Sequence, residues 1–463
     1  MLRFLRREPG FYRRTWQLAL PIMLQNLITT SLGFVDTFMV GLLGQDELSA
    51  VTAANSPIFL VQLVVFGILS GLSVLASQYW GKRDTESINR CMGVALYAGL
   101  ALTGAVALTL FLAPRTVMGL ITNNPRLIEL GASYIRIVGF SYVFNAASSV
   151  YVGMQRSVEN PLMGTVVFAS SMLLNTGLNY VLIFGHFGAP ALGVTGAAAA
   201  TLISRIAEFA ITAVYALRCR RVPLRPRALL RPGRAILRSF VKYATPVLVN
   251  DALWGLGTTV MTAIMGHMVI SSEFLAAHAI MGNIDKFATV FCFGVAAAAS
   301  VMVGTSIGGG DSRERTGALA RRLTAVSFFT GCAVAACLAA LLPTVFIPVV
   351  YPLFHLEGLA QQIAVTMCVV NALLMPARAP ANTIITGILR AGGDVRTATV
   401  IDLAPLWFLA VPLTALAGLV LNAPVAAVCL CIQSESICKL PLSLRRLGSG
   451  RWINDVTEEG GAS

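Results

Sequence analysis

Asp36 is the only ionisable side chain between Trp16 and Leu43, in a stretch that reads LITTSLGFVDTFMVGLLG over residues 27–44. A carboxyl in such surroundings can carry a proton, and its anionic form can hold a sodium ion or an organic cation. The hydroxyls of Thr29, Thr30, Ser31 and Thr37 share the segment, so a carboxylate that is capped and purely structural is the competing reading. Further on, LLNTGLNYVLIFG places Asn175 and Asn179 four residues apart on one helical face, with Tyr180 beside them. Two carboxamides facing one way can hold the Asp36 carboxylate or coordinate a cation through their oxygens. They can equally act as glue between helices. Asp251 and Asp285 are two more acids set in apolar sequence.

The remaining polar residues carry less. Arg205 and Glu208 are three apart and neutralise each other on one helix. Asp285 and Lys286 are adjacent and point in different directions. Asp402 lies near a cytoplasmic helix end, where solvent or a neighbouring helix can satisfy it, and Glu435 with Lys439 reads as a surface pair. His186, His267, His278 and His355 show no metal spacing. The nine cysteines are scattered through apolar stretches and read as buried small hydrophobes, not as a zinc pattern or disulfide set.

The elements that must position these groups are membrane helices. Only 12% of the 463 residues are charged and 56% are hydrophobic, with a mean hydropathy of +0.76. A soluble domain carries about 25% charged residues. Twelve apolar stretches approach or exceed the ~20 residues that span a bilayer. They cover about 16–43, 51–79, 91–113, 132–154, 163–185, 192–217, 243–268, 277–306, 323–350, 361–386, 397–421 and 424–441. Arg378 and Glu435 interrupt the tenth and twelfth. With no water to satisfy the backbone, stretches this long and evenly apolar are helices, not barrel strands.

Of the 34 Lys and Arg residues, all but six fall at the amino terminus (Arg3, Arg6, Arg7, Arg13, Arg14), in the even-numbered loops or at the carboxy-terminal end. Arg115, Arg126 and Arg136 lie opposite, and Arg205, Lys286 and Arg378 fall within spans. The positive-inside rule then puts both termini in the cytoplasm. The net charge of +13 is topological, and no nucleic-acid partner is expected. MLRFLRREPGFYRR leads into an apolar run too long for a cleaved signal, so it begins the first helix.

The chain is also a duplication. QLALPIMLQNLITTSLGFVDTFMVG faces KYATPVLVNDALWGLGTTVMTAIMG, with Pro21 on Pro246 and Gly41 on Gly266. FGILSGLSVLASQYWGKRD faces FGVAAAASVMVGTSIGGGD, and YVGMQRSVENPLMGTVV faces ITGILRAGGDVRTATVI, with Arg156 on Arg390. The expected organisation is all-α and integral to the membrane: an amino lobe 1–217 with helices 1–6, a cytoplasmic linker 218–242, and a carboxy lobe 243–463 with helices 7–12. Parallel repeats of this kind suit a transporter with a midplane site and alternating access. Asp251 lies five residues after its proline and Asp36 fifteen after its own, about 15 Å apart along a helix. Met261 stands at the repeat position of Asp36, so the two acids are not symmetry mates.

GFVDTFMVGLLG, LNTGLNYVLIFG, NDALWGLG and GILRAGGDVRT, in that order on a six-plus-six plan, resemble the multidrug and toxic compound extrusion (MATE) family. The resemblance covers essentially the whole chain. It implies an antiporter in the inner (plasma) membrane that expels cationic or amphiphilic small molecules against protons or sodium ions, needs no cofactor, and is a monomer and not an enzyme. It implies coupling at Asp36, with Asn175 and Asn179 accompanying it and a possible sodium ion among the three. Asp251 and Asp285 match acidic positions of one subgroup, Asp251 standing where Glu is usual. Ala379 stands near the place where some sodium-coupled relatives carry an aspartate, so proton coupling is favoured. The competing expectations are a lipid-linked oligosaccharide flippase, which needs cavity cations such as Arg378 and Lys286, and a membrane-embedded lipid transferase, which needs a reactive cluster that the sequence lacks. The scarcity of intramembrane bases against several acids favours a cationic substrate.

Overall fold

The computed structural model describes residues 10–354 and 356–458, apart from the side chains of 57–60. Arg3, Arg6, Arg7 and His355 lie outside the described residues. Among the described residues there is no strand, and twelve helices are long and apolar enough to cross a membrane. They are α1 (Phe11–Gly41), α2 (Gln45–Gly81), α3 (Thr85–Leu112), α4 (Pro125–Ser157), α5 (Pro161–Phe184), α6 (Val194–Arg218), α7 (Arg234–Gly266), α8 (Ser271–Gly308), α9 (Arg313–Leu353), α10 (Gly358–Leu389), α11 (Val395–Val420) and α12 (Val425–Gly448). Large apolar side chains such as Leu173, Phe408, Leu373 and Phe38 are exposed, as a lipid-facing surface requires.

Several helices begin earlier than their apolar stretches, α7 at Arg234 and α9 at Arg313. Hydropathy marks where lipid begins, whereas the backbone ladder continues until a capping group ends it. Asp84 caps α3 by accepting from the backbone N–H groups of Glu86 and Ser87, and Asn124 caps α4 through Arg126 N–H. Pro125 and Pro161 open α4 and α5, where a missing N–H costs nothing. Gly185 ends α5 in the left-handed conformation at φ 76°. In α9, Pro343 and Pro348 lie within a π-helical turn at Leu342–Val350, and in α11 Pro405 directly precedes one at Leu406–Ala410.

The chain packs as two units. Of the described residues, one holds 24–248 with 457–458 and the other holds 249–456 with 10–23. The divisions fall two residues after each repeat proline, within α1 and α7. In the second unit, Ala19 and Met23 of α1 pack on Gly294 of α8. In the first, Ala244 and Leu248 of α7 pack on Gly71 and Gly67 of α2. These are repeat partners: a Cβ at Gly67 would collide with Leu248, and one at Gly294 with Met23. Small residues here let two helix backbones approach closely.

The basic segment after α6 is an ordered part of the first unit. Arg225 N–H donates to Asn89 Oδ1, Asn89 Nδ2 donates to Pro223 O, and Tyr97 Oη donates to Leu230 O, so the short helix Pro226–Leu230 lies against α3.

Candidate functional site

In the unit of residues 24–248, Asn179 Nδ2 of α5 donates to Asp36 Oδ1 of α1 at 2.6 Å and to Asn175 Oδ1 at 3.1 Å. Asn175 Nδ2 in turn donates to Thr201 Oγ1 and Ser204 Oγ of α6 at 3.4 and 3.5 Å. The four-residue spacing on α5 thus forms one polar chain across three helices. Asn175 and Asn179 are buried, and Asn179 Oδ1 is a buried acceptor with no donor among the described residues. Beside a carboxylate, such an acceptor suits a proton donor or a cation. Tyr180 lies outside this chain: it is half exposed and its ring stacks on His186 at 4.0 Å.

A cavity of about 270 Å³ opens in the same unit between α1, α2, α4 and α6, with Thr29, Gln62, Tyr142, Asn145 and Arg205 among its lining residues. Behind it Arg205 Nη1 donates to Glu208 Oε2 at 2.5 Å, and Glu208 is fully buried. The pairing expected from the three-residue spacing is present. Nearby on α1, Gln25 Oε1 accepts from Arg156 Nη2 at 2.8 Å.

The other unit buries its acids in networks. Arg378 of α10 grips Asp285 of α8 through two bonds, Nη1 to Oδ1 at 2.8 Å and Nη2 to Oδ2 at 2.9 Å. Asn371 Nδ2 adds a third to Oδ1 at 2.9 Å. Arg378 is therefore not a free cavity cation, and Lys286 is held by Asn283 Oδ1 at 3.5 Å in an exposed position. Asp251 faces Arg390 at 3.9 Å and receives Asn250 Nδ2 at 3.3 Å, and the same amide reaches Asp402 Oδ2 at 3.0 Å.

Lys439 corrects one expectation. Its pairing with Glu435 at 3.0 Å is not on the surface: the side chain is only 11% exposed and also bonds Asp402 Oδ1 at 2.8 Å. Helical spacing revealed the pair, but gave no sign of which face it occupies.

Among the nine cysteines none is disulfide-bonded, and four are fully buried, whereas Cys337 is exposed. Cys219, just past α6, is the thiol with an unusual environment. Burial raises its pKa, but the backbone N–H groups of Val222 and Arg221, the Gln155 amide and the Tyr151 hydroxyl outweigh this and lower it overall.

The MatE family model matches the chain twice, over residues 21–181 and 246–416, each match starting at a repeat proline. The uncharacterized transporter YisQ of Bacillus subtilis is 23% identical over 449 residues, 96% of this chain and 95% of that protein. Multidrug resistance protein PmpM of Pseudomonas aeruginosa is 25% identical over 405 residues, 85% of this chain and 81% of its own. A solved structure described as the outward-facing conformation of a multidrug resistance MATE family transporter of the MOP superfamily superposes with a TM-score of 0.84. It is 18% identical and covers 97% of this chain and 98% of that one. The shared fold accounts for the twelve helices, and the doubled match, spanning well over half of the residues, settles the lineage: this multi-pass membrane chain belongs to the MatE family.

Proposed function

We propose that the chain is a secondary active transporter, not an enzyme, that expels cationic or amphiphilic small molecules by antiport against protons or sodium ions. The two repeats give alternating access, the protein works as a monomer in the inner (plasma) membrane, and both termini face the cytoplasm. The orientation follows from the basic loops. The polar chain Asp36–Asn179–Asn175 carries the reading. It offers a carboxylate and an undonated amide oxygen to one small cation, within the unit that also carries the cavity of about 270 Å³. The names of relatives such as PmpM support drug efflux. Engagement of Arg378 by Asp285 takes from the flippase reading one of the two cavity cations it was expected to use.

Coupling is assigned to Asp36, with Asn175 and Asn179 orienting it; Tyr180, turned onto His186, has no direct part. Protons are the favoured ion, because buried Ala379 supplies no carboxylate to the other unit. The test is Asp36→Asn in proteoliposomes under an imposed pH or sodium gradient. Asn179 can still donate to the new amide oxygen, so folding is retained, whereas gradient-driven dye efflux falls at least about tenfold. Undiminished efflux would remove Asp36 from the mechanism. Wild-type efflux driven by a sodium gradient alone would overturn proton coupling.

A further inference from the structure

The lining of the 270 Å³ cavity carries a charge opposite to the one expected for a site that takes only cations. Among the described lining residues Arg205 is the one with a fixed charge, and none is a carboxylate. Glu208 engages only Nη1, from a fully buried position on the same helix. The Nε and Nη2 groups make no hydrogen bond among the described residues and are not sealed off, since the side chain keeps 20% of its exposure. An open guanidinium edge with two parallel N–H groups fits a carboxylate, sulfonate or phosphate in a bidentate way.

The surrounding charges restrict what such a ligand can be. Asp36, Glu208 and Arg205 sum to one negative charge when both acids carry theirs, and Asp36 is joined through Asn179 and Asn175 to Ser204, the neighbour of Arg205 on α6. A simple anion would meet that net negative charge, and a simple cation would leave the guanidinium edge unmatched. Resting on the transport reading above, we propose that Arg205 makes this cavity selective for zwitterionic amphiphiles, whose oxyanion docks on Arg205 while their cationic group offsets the acids. Arg205 is thus a specificity residue contributed by α6, and the neutral hydroxyl and amide groups of Thr29, Gln62 and Asn145 accommodate varied scaffolds around it.

The test uses two dyes that differ only at one carboxyl: zwitterionic tetramethylrhodamine and its cationic methyl ester. Binding to the purified full-length protein is followed by fluorescence anisotropy without any gradient. The wild type is expected to bind the free acid roughly tenfold or more tightly than the ester, as a bidentate charge-assisted contact allows. Arg205→Gln alone would strand the buried Glu208, so the informative variant is Arg205→Gln with Glu208→Gln. It should bring the acid-to-ester ratio to about one. Arg205→Lys keeps the charge but loses the fork, and should keep only part of the preference. A wild type that favours the ester, or a double variant with an unchanged ratio, overturns the proposal. The transport reading fails separately, if a gradient drives neither dye across the membrane although the acid preference in binding is intact.

Discussion

Asp285 can be a coupling acid or half of a structural clamp, and a double-mutant cycle with Arg378 separates the two. The guanidinium makes two bonds of 2.8 and 2.9 Å to the carboxylate, and each side chain keeps little more than a quarter of its exposure. Removing one partner of a fully buried pair costs about 3–5 kcal/mol, while replacing both by neutral groups is close to neutral. Partial exposure, and the Asn371 bond that stays with Asp285, moderate the penalty, so Arg378→Met and Asp285→Asn should each cost about 2 kcal/mol. The double variant should cost about 1 kcal/mol, leaving an interaction energy of about 3 kcal/mol. Unfolding of the purified protein by a denaturing detergent, monitored by tryptophan fluorescence, gives the four corners of the cycle. Gradient-driven efflux is measured on the same four proteins. For a clamp, efflux per folded protein follows stability, so the double variant transports at least as well as either single. Additivity of the stability changes would refute the energetic reasoning. A stable double variant without transport would return Asp285 to the coupling machinery.

Three other expectations follow from particular contacts. Lys439→Met leaves the Asp402 and Glu435 carboxylates facing each other without their shared ammonium, and should lower stability by about 3 kcal/mol in the same unfolding assay, with Lys439→Arg largely restoring it. Gly71→Ala sets a Cβ 2.6 Å from that of Ala244 and 3.1 Å from its Cα, an overpacking that should cost about 1–3 kcal/mol. Gly104→Ala in α3 meets open space and should be neutral or stabilising by up to about 1 kcal/mol. The lowered pKa of Cys219 means that its thiolate forms at lower pH than that of an ordinary thiol near 8.5. Its alkylation, followed by mass spectrometry of the labelled peptide, should therefore rise at lower pH than that of a model thiol. Gln155→Leu removes one stabilising donor and should move the profile upward; an unchanged profile would discount that amide bond.

The spans were legible because a bilayer constrains length and polarity together, and even the interrupted tenth and twelfth form helices. The pairing of Asn175 with Asn179 was equally legible, since it depends on helical spacing alone. Partners distant in the chain were not. Asp285 and Arg378 are 93 residues apart, and Asn250 and Asp402 are 152 apart, so no local pattern announces that they meet. Asp36 and Asn179 are 143 apart, and from the sequence their contact is only one of several uses for two carboxamides. The cavity lining of Arg205 was hidden for a related reason. Its spacing to Glu208 suggested a closed pair, but spacing does not reveal which nitrogens remain open.

The exchange of half-helices at residues 23 and 248 bears on ancestry and on folding order. Had the repeat once been a separate gene product, two copies would have associated by each lending its leading half-helix to the other, as in a swapped dimer. Fusion of the genes would preserve that interlock within one polypeptide. Neither half alone could then bury the glycine face of its own second helix, because the side chains that fill it come from the other repeat. The first half emerges from the ribosome with the Gly67–Gly71 groove still vacant. It must wait for Ala244 and Leu248 of α7 before that groove closes.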